Sequence, residues 1–277
     1  MVPTYTLNDG HVIPAIGFGT YPLRGTDGVA AVTSAIEVGY RLIDTAVNYE
    51  NEREVGEAIR RSGVPRDELF VTSKIPGRHH GYDEAVASTH ESLERLGLDH
   101  LDLHLIHWPN PGVGKYVEAW RALVDLQKQG LVRSIGVSNF TEAHLARIID
   151  ATGVTPAVNQ IELHPYFPQP QMRRVHEELG IRTESWSPLG KRQAPFEEPP
   201  VAGAAEAHGV SPAQVILRWQ VQLGCVPIPK SATRERQVAN LDVFGFELSP
   251  AEVEAISALA REDGRLFGGD PDHHQEM

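Results

Sequence analysis

The sequence LDLHLIHWPNPGVGKYVEAWRALVDLQKQGLVRSIGVSNF, residues 101–140, contains one complete strand–helix–strand unit. Its segments LDLHLIH and VRSIGVS are apolar runs of the kind that form buried strands. Between them Val117, Trp120 and Val124 recur at helical spacing, and Gly130 is a typical helix stop. Two buried strands joined by a helix predict a βαβ unit with parallel strands.

The same alternation continues along the rest of the chain. Other strands are expected at residues 15–20 and near Arg41, Leu69, Ala157, Ile181 and Cys225. Most intervals between strand starts are close to the roughly 30 residues of a βαβ unit. Eight such units predict an α/β fold, a (β/α)8 TIM barrel, with an open doubly wound sheet as the competing arrangement. We expect residues 1–277 to form a single domain.

Three segments fall outside this rhythm. Residues 5–13 predict a β-hairpin around Asp9-Gly10 that caps the bottom of the barrel. Residues 190–200, GKRQAPFEEPP, are rich in proline and charge and predict a surface flap. Residues 264–277 are polar and glycine-rich, and they predict a short C-terminal tail or a loop over one end.

Composition excludes several classes of protein. With 37 Asp and Glu against 25 Lys and Arg, the net charge is −12, which disfavours binding to nucleic acid or anionic membranes. The single cysteine, Cys225, excludes an intramolecular disulfide framework and a cysteine-rich zinc site. No apolar stretch approaches 18 residues and no secretory signal begins the sequence. We therefore expect a cytoplasmic protein that acts on small molecules, a monomer by default.

Polar side chains follow most of the predicted strands. The carboxyl ends of the strands meet at one face of a βα barrel, where active sites form. The residues expected at that rim are Asp44, Tyr49, Lys74, His107, Trp108, Ser138, Asn139, Gln160, Trp186, Ser187, Lys230 and Ser231.

Asp44, Tyr49, Lys74 and His107 form the most reactive combination in this set. An ammonium beside a phenol lowers the pKa of the phenol from its usual value of about 10. Asp44 would fix Lys74, and His107 would hold a carbonyl oxygen beside Tyr49, which gives a general acid for carbonyl reduction. The alternative reading is structural, because buried Asp–Lys pairs and packed loop tyrosines also occur without catalysis.

A nucleotide site is harder to recognise. No G-x-G-x-x-G and no Walker A sequence follows a strand. Lys230-Ser231 precedes a predicted helix at Arg234–Leu241, and a helix N-terminus with nearby cations can bind a phosphate. The alternative is a solvated helix face containing Arg234 and Arg236. The histidine pairs at residues 79–80 and 273–274 lack a third ligand at metal-binding spacing, so no metal site is predicted.

Seven segments together resemble one family. The segments GYRLIDTAVNYENEREVG, LFVTSK, LDLHLIHWP, IGVSNF, VNQIELHP, SWSPLG and IPKSATRER occur in the order found in aldo-keto reductases. The resemblance extends from about Leu7 to Ala260 and is greatest to the bacterial 2,5-diketo-D-gluconate reductase group. It implies an NADPH-dependent oxidoreductase that reduces aldehydes or ketones, among them small dicarbonyls, keto-sugars such as 2,5-diketo-D-gluconate, and aromatic aldehydes.

The resemblance also implies roles for individual residues. Tyr49 would be the proton donor, Lys74 and Asp44 would lower its pKa, and His107 would orient the carbonyl. Tyr21, Trp108 and the tail from Arg265 would line the substrate pocket with these groups. NADPH or NADP+ would contact Thr20, Tyr21, Asp44, Ser138, Asn139, Gln160, Trp186, Ser187, Pro188, Leu189, Lys230, Ser231, Arg236 and Asn240.

Two departures from the family pattern and two alternative functions remain. Ala239 replaces a polar residue near the adenine, and Ile75-Pro76-Gly77 lacks a tryptophan two residues after Lys74, which predicts a more open pocket wall. One alternative is a non-catalytic nucleotide-sensing or partner-binding subunit. The other is a lyase in which Lys74 forms a Schiff base, although Asp44 would keep that amine protonated.

Overall fold

The computed structural model describes residues 2–276 and contains a ring of eight parallel strands. Two further strands form an N-terminal hairpin. The strands are β1 (Thr4–Thr6), β2 (Val12–Pro14), β3 (Gly17–Gly19), β4 (Leu42–Asp44), β5 (Phe70–Ile75), β6 (Leu101–Ile106), β7 (Val132–Ser138), β8 (Val158–Glu162), β9 (Arg182–Trp186) and β10 (Val226–Pro227).

The strands β3 to β10 pair in chain order, each parallel to the next. The first and last strands of the ring meet where the Gly19 amide, in β3, donates a hydrogen bond to the Pro229 carbonyl, just after β10, at 3.1 Å. The predicted (β/α)8 barrel is therefore confirmed, and the open doubly wound sheet is excluded because its outer strands would lie far apart.

Helices on the outside follow most of the strands. They are α1 (Gly25–Val38), α2 (Glu52–Ser62), α3 (Tyr82–Leu96), α4 (Tyr116–Lys128), α5 (Glu142–Thr152), α6 (Pro170–Leu179), α7 (Pro199–His208), α8 (Pro212–Gln222), α9 (Arg234–Leu241) and α10 (Pro250–Ser257). Helices α2 and α3 end where the sequence predicted, because Gly63 and Gly97 adopt the left-handed conformation, with φ of 67° at both.

The hairpin predicted at residues 5–13 is present as β1 and β2. These strands are antiparallel, with Thr4 opposite Pro14. Ile13 is fully buried and belongs to the apolar cluster that fills the barrel interior with Leu42 and Leu103. The hairpin thus covers one end of the barrel, as predicted.

Alternation along β6 decides which side chains reach the interior. Leu103 and Leu105 belong to the interior cluster, whereas Ile106 packs outward against α4 and its neighbours. His107 therefore follows on the interior side, at the carboxyl end of the strand. His104 faces the other way and is fully buried, and burial lowers the pKa of its imidazole to about 4.

The loop after β9 differs from the predicted flap at its far end. Lys191–Gln193 form a short 3-10 turn, but Pro199 and Pro200 begin α7 instead of extending the flap. The reason is that proline is favoured in the first helical turn, where its missing N–H costs no hydrogen bond. Within the described part of the chain, no helix combines the length and apolar character needed to cross a bilayer.

Candidate active site

A cavity of about 1090 Å³ opens at the carboxyl end of the barrel strands. The side chains around it come from nearly every strand of the ring, as expected for this fold. Its lining includes Thr20, Tyr21, Asp44, Tyr49, His107, Trp108, Ser138, Asn139, Gln160, Trp186, Ser187, Pro188, Leu189, Lys230, Ser231, Arg236 and Asn240. All predicted site residues except the fully buried Lys74 are thus brought to one cavity.

Lys74 connects the two other groups of the predicted acid. Its Nζ lies 2.6 Å from Asp44 Oδ1, 2.9 Å from the Thr45 carbonyl and 3.4 Å from the Tyr49 hydroxyl. The Lys74 and Asp44 side chains are 0% and 1% exposed. A buried ammonium with these partners has few other conformations, so its charge stays beside the phenol.

Tyr49 reaches this position through a short turn. Val47–Tyr49 form a 3-10 turn directly after β4, and Glu50 leaves it with φ of 52°. The Tyr49 ring is 5.2 Å from the Tyr21 ring and 5.7 Å from the His107 ring, the latter edge-to-face. The phenol, the imidazole and a second aromatic therefore border the same part of the cavity.

The acidity of Tyr49 differs from the sequence-based expectation. Burial raises the pKa of Tyr49, Lys74 lowers it and Asp44 raises it again, with a net pKa of about 12. Lys74 acts in the expected direction, but desolvation of the phenolate is the larger effect. The net direction is therefore opposite to the lowered pKa that the sequence predicted.

Lys74 itself remains a cation. Burial lowers the pKa of Lys74, but the negative charge of Asp44, the electrostatic effect of Tyr49 and the hydrogen bond that Lys74 donates to Asp44 outweigh burial and raise it. A lysine that acts as a Schiff-base nucleophile needs the neutral amine. The geometry therefore disfavours the lyase alternative.

A second buried carboxylate, which the sequence analysis did not single out, lies beside Asp44. The Gln160 amide nitrogen donates to Asp44 Oδ2 at 2.8 Å and to Glu184 Oε2 at 2.7 Å. Burial and the charge of Asp44 raise the pKa of Glu184 to about 8. The available signal was alternation, because Glu184 is two residues before Trp186 on β9 and so shares its face.

Asn139 organises the opposite wall. Its backbone is left-handed, with φ of 62°. Its amide nitrogen donates to the His107 carbonyl at 3.1 Å and to Ser138 Oγ at 3.0 Å. Its amide oxygen accepts from the Trp186 indole at 2.7 Å, which fixes a large flat ring at the cavity.

The far end of the cavity is cationic. Lys230 and Arg236 line it. Lys191, which the sequence analysis had placed only in the flap, lines the cavity nearer its substrate end, with its Nζ 4.4 Å from the Phe267 ring and 5.7 Å from the Tyr21 ring. Ser231 Oγ accepts from the Thr233 amide at 3.1 Å, just before α9. Arg234, one candidate for this end, pairs instead with Glu37 on α1 at 3.1 Å.

The tail contributes side chains that the sequence analysis did not name individually. Phe267 lines the cavity and is 74% exposed. Glu276 Oε1 lies 2.8 Å from His107 Nδ1, and the Asn48 amide donates to the same oxygen at 2.5 Å. Nothing in the local sequence links Glu276 to His107, since the contact depends on the path of the tail.

The comparison with known proteins agrees with this geometry. A sequence model of the Aldo/keto reductase family matches residues 15–194 and 200–261. The chain is 61% identical over 276 residues to 2,5-diketo-D-gluconic acid reductase B of a Corynebacterium species, covering 100% of this chain and 99% of that protein. The chain belongs to the aldo/keto reductase family.

Solved structures of other aldo/keto reductases have the same fold. A mutant of Gox0644 in complex with NADPH has 45% identity, a TM-score of 0.94, and 99% of each chain covered. An aldo-keto reductase of Bombyx mori in complex with NADP has 35% identity and a TM-score of 0.91, with 99% of this chain and 98% of that one covered. The present aldo/keto reductase is an NADP-dependent oxidoreductase.

The cavity fits this cofactor. One end offers the flat Trp186 indole beside the amide of Gln160, which suits a nicotinamide ring. The other end offers Lys230 and Arg236, which suit a phosphate group. One continuous cavity connects these two ends, as the binding of a dinucleotide requires.

Proposed function

We propose that this aldo/keto reductase reduces aldehydes and ketones to alcohols with Tyr49 as the proton donor and His107 as the group that orients the carbonyl. One observation supports this most strongly. The buried Lys74 ammonium contacts Asp44 and the Tyr49 hydroxyl together, and Tyr49 opens to the cavity beside His107.

NADPH, when bound, supplies the hydride that forms the new C–H bond at the carbonyl carbon. The C=O π electrons move to oxygen, and Tyr49 gives its proton to that oxygen. Lys74 stabilises the phenolate that remains, and water returns the proton afterwards. In the overall reaction, one carbonyl group, one hydride and one proton give one alcohol.

A phenol pKa of about 12 is compatible with this role. Tyr49 stays protonated at neutral pH and so always has a proton to give. An alcohol is an acid about as weak as water, with a pKa of about 15.7, so proton transfer from Tyr49 to an alkoxide is downhill by several powers of ten.

The remaining side chains of the cavity would hold the cofactor. Ser138, Asn139 and Gln160 would contact the nicotinamide carboxamide, and Trp186 would stack on the ring. Lys230, Ser231 and Arg236 would bind the 2′-phosphate. The other contacts proposed are Thr20, Tyr21, Asp44, Ser187, Pro188, Leu189 and Asn240.

The substrate end combines aromatic and polar groups. Tyr21, Trp108 and Phe267 give apolar surface beside the hydroxyl of Tyr49 and the imidazole of His107. This combination suits small dicarbonyls, keto-sugars and aromatic aldehydes. The compound in the name of the Corynebacterium relative, 2,5-diketo-D-gluconic acid, falls within the keto-sugar group.

The decisive test is NADPH oxidation with a panel of carbonyl compounds, using the wild type and Tyr49→Phe. Removing the phenol proton should lower kcat by at least about 100-fold, whereas the Kd for NADPH, from quenching of tryptophan fluorescence, should stay within about twofold. Nearly full activity in the variant would exclude Tyr49 as the donor. A wild type that binds NADPH but reduces no carbonyl would favour the nucleotide-sensing alternative.

A further inference from the structure

The tail packs directly on the two residues that follow β6. The His274 ring lies 4.1 Å from the Trp108 ring, and Glu276 Oε1 lies 2.8 Å from His107 Nδ1. The tail therefore contacts both the imidazole proposed to orient the carbonyl and the indole next to it.

Glu276 is fixed by its side chain and its backbone. Its side chain is 16% exposed, and Oε1 accepts a 2.5 Å hydrogen bond from Asn48, next to Tyr49. Its carbonyl oxygen accepts from the Asn110 amide. Oε2 is buried and has no hydrogen-bond partner among residues 2–276. A carboxylate with an unsatisfied buried oxygen is costly, which argues for a function that retains it.

A glycine makes room for this arrangement. A Cβ on Gly77 would collide with the Glu276 carbonyl oxygen and with the Asn110 amide. Gly77 belongs to the Ile75-Pro76-Gly77 segment, in which the tryptophan usual in the family is absent. The tail therefore packs closely against this segment.

The two edges of the His107 ring have different surroundings. Nδ1 is buried and faces Glu276, which lies off the direction of an Nδ1–H bond, so the contact is an ion pair rather than a linear hydrogen bond. The ring as a whole is 12% exposed and lines the cavity. Its accessible edge is consequently the one with Nε2, next to Tyr49.

Glu276 is the charged group on this side of His107. Burial raises the pKa of Glu276, but the charge of His107 and the hydrogen bonds from Asn48 and Gly77 outweigh burial and lower the pKa. Burial lowers the pKa of the neighbouring His80 to about 4, so His80 is neutral at pH 7. The carboxylate of Glu276 therefore acts on His107 without a competing charge from His80.

We propose that Glu276 is a positioning residue for carbonyl reduction, which holds His107 through Nδ1 so that Nε2 faces the substrate oxygen. The proposal rests on the proposed function. The carboxylate contact fixes the Nδ1 edge of the ring, so that the Nε2 edge faces the carbonyl oxygen. A ring held in this way stays in place beside Tyr49 while negative charge develops on the substrate oxygen.

The kinetic test compares Glu276→Gln with Glu262→Gln, which removes an exposed carboxylate just before the tail. Glu276→Gln should lower kcat by about tenfold or more, as loss of a partner that orients a histidine does at other sites. The Kd for NADPH should change by less than twofold, and Glu262→Gln should behave as the wild type. An unchanged or increased kcat in Glu276→Gln would overturn the proposal, and an increase would identify Glu276 as a plug in the carbonyl site.

A second readout does not depend on activity. Spectra of protein with 15N-labelled histidine report whether each ring nitrogen carries a proton, and the His107 signals are assigned by their loss in His107→Gln. The His107 ring 15N signals of Glu276→Gln should differ from those of the wild type, because the carboxylate contact at Nδ1 is lost. Identical His107 signals in the two proteins would overturn the proposal. A wild type with the expected spectrum but no reductase activity would contradict the proposed function instead.

Discussion

The pKa of the Tyr49 hydroxyl depends mainly on its burial and on the charge of the neighbouring Lys74. Burial is the larger effect and raises the pKa to about 12, while Lys74 lowers it. Without Lys74 the phenolate left after proton transfer would be buried without a cation, which costs several kcal/mol. The ammonium is therefore most important at the moment when the proton leaves.

Lys74→Met tests this balance. We expect kcat to fall by at least about 100-fold, because proton transfer would leave an uncompensated phenolate. The free energy of unfolding should fall by about 3 kcal/mol, since Asp44 loses its buried partner. Single-turnover NADPH oxidation and urea denaturation measure the two effects.

The matched control for this experiment is Lys115→Met, which removes an exposed lysine before α4. Lys115→Met should change neither kcat nor the free energy of unfolding appreciably. A Lys74→Met protein that kept its turnover while losing stability would assign Lys74 a purely structural role, the alternative left open by the sequence.

Individual site residues differ in how well the sequence predicts them. Asp44, Tyr49 and His107 follow predicted strands, so the barrel alone places them at one rim. Glu276 has no such signal, because its contact with His107 joins two loops far apart in the chain. The pKa of Tyr49 was predicted with the wrong net direction, since local sequence does not report how deeply a side chain is buried.

At the scale of secondary structure, helix α9 carries two arginines with different positions, and the sequence alone could not show which of them faces the cavity. Arg236 lines the cationic end of the cavity, whereas Arg234 turns toward α1 and pairs with Glu37. The two residues are two positions apart, so they lie on different sides of the helix. Helix periodicity predicts this divergence, but only the packing of α9 on α1 decides which arginine faces the cavity.

Arg236→Ala should therefore raise the KM for NADPH by about tenfold or more, as expected for loss of a charged phosphate contact. The KM for NADH, which lacks the 2′-phosphate, should change by less than twofold. Arg234→Ala is the matched control, with a cation removed from the same helix outside the cavity. Equal changes for the two coenzymes would contradict a 2′-phosphate contact.

The ends of helices were predictable from the sequence where a single residue, such as a glycine, ends the helix. Gly63 and Gly97 end α2 and α3 as expected, because a left-handed residue breaks the helical hydrogen-bond pattern. The start of α7 was missed, since Pro199 and Pro200 suggest a loop when read by composition. Proline is compatible with a loop and with the first turn of a helix, and the contacts of the following helix decide between these two structures.

At the scale of the whole molecule, closing the barrel places two carboxylates at its centre. Asp44 comes from β4 and Glu184 from β9, and Gln160 from β8 lies between them. In an open sheet, β4 and β9 would be far apart. The raised pKa of Glu184, about 8, is thus a consequence of closure, through burial first and the charge of Asp44 second.

This arrangement makes the stability of the barrel depend on pH. The pKa of Glu184 is raised from 4.5 to about 8, so the folded protein favours the protonated form. The stability that this preference contributes is complete below pH 4.5 and is lost as the pH rises through about 8. Glu184→Gln keeps the shape of the side chain and its ability to accept from Gln160, but it cannot ionise.

We therefore expect the Tm of the wild type to fall more steeply between pH 5 and pH 8 than that of Glu184→Gln, measured by calorimetry in matched buffers. Glu206→Gln, which removes an exposed carboxylate on α7, should keep the slope of the wild type. The difference should be greatest near pH 9, where ionisation puts a second negative charge beside Asp44. If Glu184→Gln kept the slope of the wild type, Glu184 would already be ionised at neutral pH, and Lys74 would have to compensate two buried carboxylates.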